Sequence, residues 1–116
     1  LMAPFAPESL PPHLNFFHLT GRVKERRSIK VSSKGVYLLE FIVTARKDTE
    51  DDTEPRSEDF KIEAWGSLAT RLDRSLRPGM YVYLSGVLAS RVFEDRGKIK
   101  HLRFSLKAER LEILGG

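Results

Sequence analysis

An all-β fold, a five-stranded barrel with one short helix between its third and fourth strands, is predicted by three observations. Five segments alternate apolar and polar residues with the period of two that a half-buried strand requires. One segment, GSLATRLDRSLRPG at 66–79, instead repeats leucine at four-residue spacing. Two glycines, Gly21 and Gly86, fall inside strand segments, where a strongly bent barrel strand needs a missing side chain.

The elements follow in chain order. Residues 1–14, LMAPFAPESLPPHL, hold four prolines and no lysine or arginine, so an extended arm is expected there. Residues 15–24, NFFHLTGRVK, place Phe17, Leu19, Gly21 and Val23 on one side and His18, Thr20, Arg22 and Lys24 on the other. A basic turn region, ERRSIKVSSKG, closes at Gly35. VYLLEFIVTA at 36–45 is β-branched and aromatic, which favours a strand. The third strand, at 59–65, follows an acidic loop. Leu68, Leu72 and Leu76 then define one face of a short helix, ended by Pro78 and Gly79. MYVYLSGVLASRVF at 80–93 alternates again, with Met80, Val82, Leu84, Gly86 and Leu88 expected inward. EDRGK reads as a hairpin turn, and residues 99–114 as a last strand interrupted near Glu109.

The third strand poses a question. In DFKIEAW, Phe60, Ile62 and Ala64 mark the apolar face, while Asp59, Lys61, Glu63 and Trp65 share the other. Trp65, the only tryptophan, therefore sits on the outward parity, although burial favours the largest apolar side chain inside.

Length and charge narrow the answer. A chain of 116 residues supports one core. No apolar run approaches the roughly 18 residues of a membrane span. Without cysteine there are no disulfides and no thiolate metal or redox sites. The formal charge of +4 is segregated: residues 48–59 carry seven acids and one arginine, so the remainder carries +10. A body this basic suits a polyanion, and the acidic stretch cannot belong to that surface.

Three strands, a helix and two strands is the order of an OB-fold, the small Greek-key barrel, although these signals also allow an SH3-like barrel. Sequence motifs separate the two. NFFHLTGRV resembles the opening strand of the bacterial and organellar single-stranded DNA-binding (SSB) proteins. AWGSLATRL resembles their aromatic-Gly-x-Leu-Ala entry to the helix. RPGMYVYLSGVLASRVFED resembles their fourth strand, and LKAERLEIL their closing strand. The similarity runs from about Asn15 to Leu114, so the expected domain is 15–114.

The resemblance implies a non-catalytic, cofactor-free module that binds single-stranded DNA as a homo-oligomer, in replication, recombination or repair. The implied location is the bacterial cytoplasm, or a mitochondrion or plastid. Trp65 and Phe93 fall where the family stacks aromatics on bases. Such a platform contributes about 1–3 kcal/mol per base without choosing sequence. Lys61 and Arg91 share its outward parity, and a cationic track extends through Arg22, Lys24, Arg26, Arg27, Lys30 and Lys34, and through Lys98, Lys100 and Arg103. Tyr81, Tyr83 and Phe16 are assigned to an oligomer interface.

Departures from the family weaken the site. Two further family aromatics correspond here to Thr49 and Asp59, and the acidic stretch beside them repels phosphate. The chain ends at LEILGG without the family's acidic recruiting tail, so no tail-dependent partner is expected. Catalysis is not expected either: His13, His18 and His101 are scattered, and the acids at 48–54 lack the glycine of a calcium loop. Two other readings stay open, a single-stranded RNA binder and an OB-fold adaptor subunit of a larger complex.

Overall fold

The computed structural model describes residues 12–47 and 56–116. The predicted arm, apart from 12–14, and most of the acidic stretch lie outside the described residues. In the described residues the strands are β1 (Phe17–Arg26), β2 (Lys30–Val31), β3 (Tyr37–Lys47), β4 (Arg56–Trp65), β5 (Tyr81–Glu94) and β6 (Lys100–Gly115). A single helix, α1 (Gly66–Ser75), joins β4 to β5. The sheet order is β1-β5-β6-β4-β3-β2, and β1 also pairs with β3. That pairing closes β1, β5, β6, β4 and β3 into a five-stranded barrel, with β2 as a two-residue extension of β3. The helix therefore lies between the third and fourth barrel strands, as the sequence predicts.

The core follows from the alternation. Val23 from β1, Leu39, Phe41 and Val43 from β3, Ile62 and Ala64 from β4, and Val82 and Leu84 from β5 are all buried. α1 plugs one end of the barrel with Ala69 and Leu72, and Leu76 is buried just beyond its last residue. Arg26 helps hold the helix there: its guanidinium donates to the carbonyls of Asp73 (3.0 Å) and Leu76 (3.3 Å) and pairs with the Asp73 carboxylate. These are the orphan acceptors that every helix end leaves. Arg26 is thus a structural clamp, which removes it from the expected cationic track.

The two strand glycines sit where neighbouring strands pass too closely for a side chain. A Cβ on Gly21 would lie 2.4 Å from the Thr44 carbonyl oxygen, and one on Gly86 would lie 1.9 Å from that of Lys107. At Gly86 the β5–β6 register also slips, from Ser85 opposite Arg110 to Gly86 opposite Ala108. Glu109 is the extra residue, so the interruption foreseen near it is a β-bulge.

Beyond this bulge the β5–β6 hairpin leaves the barrel. Leu88, expected inward, is 50% exposed, because the hairpin projects past the buried core cluster. Its apolar parity continues through Val92, Leu102 and Phe104, all exposed. The other parity carries Arg91 and Phe93, opposite Arg103 and His101. Asp95 shapes the tip by accepting hydrogen bonds from the amides of Gly97 (2.8 Å) and Ile99 (3.0 Å).

Gly86→Ala should cost about 1–3 kcal/mol, the usual penalty for forcing atoms into a packed site. Gly97→Ala, whose added Cβ meets only the Asp95 carboxylate at 3.4 Å, should change stability by less than about 0.5 kcal/mol. Urea unfolding of both variants checks this, and equal losses would contradict the close-approach account.

Candidate nucleic-acid interface

The outer face of β4 carries Asp59, Lys61, Glu63 and Trp65 in sequence. Trp65 is the last residue of the strand and the residue from which α1 starts, with extended dihedrals (φ −117°, ψ 152°). Gly66 follows at φ +65°, a left-handed turn that glycine adopts without strain, and it swings the chain into the helix. The indole stays on the barrel exterior, half-buried and outside the core cluster. Its Nε1–H donates to Glu63 Oε1 at 3.2 Å.

Glu63 is the centre of this face. The same Oε1 accepts from Ser105 Oγ (3.4 Å, β6) and lies 3.5 Å from Arg91 Nη2 (β5). One carboxylate thus links the tryptophan to the hairpin. Directly opposite Glu63 across the β3–β4 ladder stands Glu40. Its carboxylate pairs with Lys61 (3.0 Å) and Lys30 (3.3 Å). The two glutamates are 7% and 8% exposed, although they lie on the outside of the barrel, because the longer cationic side chains cover them. Burial pushes the Glu40 carboxyl up, but hydrogen bonds and charge from Lys61 and Lys30 outweigh it and hold the group below its ordinary 4.5.

Phe93 lies two residues beyond Arg91 on the same face. Its ring stacks on His101 across the hairpin (4.9 Å between centroids, 19° between planes). The Arg103 guanidinium sits 4.1 Å from the ring centroid, a cation–π contact. His101 is held in turn by Asp95 at 2.7 Å. The hydrogen bond to His101, with those from the Ile99 and Gly97 amides, holds the Asp95 carboxyl below its ordinary range.

The structure therefore brings Trp65, Lys61, Arg91, Phe93 and Arg103 to one side of the barrel and hairpin. It does not bring Lys100 there: Lys100 pairs with Glu94 and shares the opposite face of the hairpin with Val92 and Leu102. Lys98 occupies the hairpin tip, with φ +62°. Arg22 and Lys24 form a separate group on β1. Lys24 donates to Asp59 (2.7 Å), which also accepts from Thr44 Oγ1 (2.7 Å), so the Asp59 carboxyl is held down by Lys24 first and Thr44 second. Arg22 lies 5.7 Å from the Tyr81 ring centroid. Tyr83 stacks on His18 and hydrogen-bonds its Nδ1 at 2.7 Å, while Phe16 meets the same imidazole edge-on. The three interface candidates thus gather on the outer surface of β1 and β5.

Sequence reasoning missed Glu40, Glu63, His101 and Ser105. Each is unremarkable in the chain and acquires its role only from strand pairing.

The depressed Glu40 group sets a pH dependence. A carboxyl whose folded pKa lies below its unfolded value stabilises the fold fully above the unfolded value, and that contribution is lost as pH falls through the folded one. The melting temperature should therefore fall with acidification below about pH 4.5, and Glu40→Gln should make that fall shallower. Thermal melts between pH 7 and 3 check this. Parallel curves for the two proteins would contradict the pairing.

Comparison with known proteins places these features in context. No curated protein matches the chain in sequence. Among solved structures, the chain is similar to the Plasmodium falciparum SSB in its complex with ssDNA, at a TM-score of 0.75 and 22% identity. That likeness covers 90% of this chain and 98% of the other, and it shows the shared fold. The model of the single-strand binding protein family matches residues 14–114. The match spans the whole barrel and the hairpin, and the chain belongs to the single-strand binding protein family.

Proposed function

We propose that this protein binds single-stranded DNA with little preference for sequence, stacking bases on Trp65 and Phe93 and neutralising phosphates with the cations around them. Family membership carries the single-stranded DNA part of this reading, and roles in replication and repair fit the family. The observation that supports the site is a lone tryptophan outside the core, hydrogen-bonded to Glu63 and joined through it to Arg91 and the hairpin. A flat ring on the barrel exterior beside cations suits any unpaired base, since every base offers a π-face. The protein acts as a binding module and not as an enzyme. Its place is a compartment that holds DNA, either a bacterial nucleoid or the interior of a mitochondrion or plastid.

A second reading, an OB-fold adaptor subunit with weakened binding, draws on one observation. Lys24, Lys61 and Arg91 each have an internal carboxylate partner, in Asp59, Glu40 and Glu63. A phosphate must compete with that partner. Gel shifts with labelled oligo-dT, oligo-U and duplex separate the readings. Binding to oligo-dT but not duplex is the expected result, and absence of binding to either single strand at low salt would favour the adaptor. The logarithm of affinity should fall against the logarithm of salt with a slope near −0.7 for each neutralised phosphate, and about 3–5 phosphates per protomer are expected. A salt-independent affinity would contradict the electrostatic part.

The functional unit is a homodimer or homotetramer, with Phe16, Tyr81 and Tyr83 at the interface. Phe16 is 61% exposed and Tyr81 40%, on a face with more aromatic surface than solvation requires. Light scattering at micromolar concentration should give a multiple of 13.3 kDa, and a monomer mass would contradict the assembly.

A further inference from the structure

The stack on the β5–β6 hairpin contains one ring that the proposed site does not use. His101 lies directly opposite Phe93 in the ladder, and the two rings are nearly parallel. The imidazole is the more exposed of the pair, with 45% of its side chain open to solvent. It shares the hairpin face of Arg91, Phe93 and Arg103, while Val92 and Leu102 take the other.

The hairpin tip holds its shape without this ring. Asp95 Oδ1 accepts from the Gly97 and Ile99 amides, and backbone bonds run from Asp95 to the Ile99 carbonyl and from Lys98 to that of Asp95, both 3.0 Å. The second oxygen, Oδ2, meets His101 Nε2 at 2.7 Å. Because Asp95 is held below its ordinary range, it is a carboxylate at neutral pH and can only accept. Nε2 therefore carries a proton and donates it, which leaves Nδ1 as the atom that titrates. Among the described residues Nδ1 has no hydrogen-bond partner. It is an acceptor in the neutral ring, and on protonation it becomes a donor in a cationic one. Of the charged groups along the hairpin, Asp95 and Glu94 favour the imidazolium. Arg91, Lys100 and Arg103 on the strands, with Arg96 and Lys98 in the turn, oppose it. A bound strand tips that balance, because its negative charge favours the cation and its bases offer π-faces to it.

We propose that His101 contacts a base of the single strand as a further member of the Phe93 stack, and that protonation at Nδ1 tightens this contact. This rests on the single-strand reading above and adds a pH dependence to it. A strand that prefers the imidazolium must, by linkage, raise the pH at which His101 gains its proton. The extra affinity is then fully present below the titration of the free protein and is lost as pH rises through that of the complex.

The test compares the full chain with His101→Phe, which keeps a ring against Phe93 but cannot titrate. The position is exposed, so the substitution should leave the fold intact. His13 and His18 titrate in both proteins, so the comparison isolates His101. Oligo-dT affinity is measured at fixed salt from about pH 8 to pH 5.5, where histidines change charge. Over that span the unmodified protein should gain about 2- to 30-fold more affinity than the variant, the range of a cation on a π-face. The His101 Hε1 resonance supplies a second readout. Its titration midpoint should rise by about 0.3–1.5 pH units on saturation with oligo-dT, the logarithm of the same factor. Equal gains in the two proteins, or an unmoved midpoint in a protein that binds the strand, would overturn the proposal. If Trp65 is still quenched in that case, the proposal falls alone and the tryptophan platform stands. Absence of binding at every pH would fail the single-strand reading, and this proposal with it.

Discussion

Closure of the sheet between β1 and β3 is the constraint on which the rest of the molecule depends. Once five strands form a barrel, each strand has one face inside and one outside, and a one-residue slip would exchange them. The interior is too narrow for a side chain where strands cross most closely, which is why Gly21 and Gly86 stand at those points. The same closure fixes what must face outward. β4 buries Ile62 and Ala64, so Lys61, Glu63 and Trp65 share the exterior. The tryptophan is outside because the register of its strand leaves it no other position.

An outward tryptophan and a ring of cations do not by themselves make an ordered surface. Here two nearly buried glutamates organise it. Glu63 fixes the indole and reaches the hairpin through Arg91 and Ser105, while Glu40 holds Lys61 and Lys30. Such pairing has two opposed effects on strand binding. It orients the cations and the ring before the ligand arrives, which lowers the ordering cost of binding. It also supplies internal counter-charges that a phosphate must displace. The proposed site is therefore expected to bind weakly and with strong salt dependence, in keeping with the acids evident in the sequence at Asp59 and in the stretch before it.

Much of this was legible in the chain, for a physical reason. Alternation and helical spacing are local properties, so β1, β3, β4, β5 and α1 could be read within a few residues of their ends. The two glycines and the disturbance at Glu109 were legible because a bent strand needs them. The misreadings concern residues whose role depends on their neighbours in space. Leu88 keeps the inward parity but lies beyond the end of the core. Arg26 resembles the other cations of its loop until α1 packs beside it. Lys100 looks like part of the track until its pairing with Glu94 turns it away from Phe93. Glu40 and Glu63 are ordinary strand carboxylates until the β3–β4 register sets them opposite one another. No periodicity in one strand reveals its partner.

The central claim is that Trp65 is an exterior platform for a base. Its fluorescence tests this most directly, since no other tryptophan contributes. Titration with oligo-dT should quench the emission in proportion to saturation. Trp65→Ala should weaken binding by roughly 1–3 kcal/mol, about 5- to 150-fold, while leaving the melting temperature nearly unchanged. Emission indifferent to the added strand, together with a stability loss of about 3–5 kcal/mol on substitution, would instead mark a core residue and contradict the account.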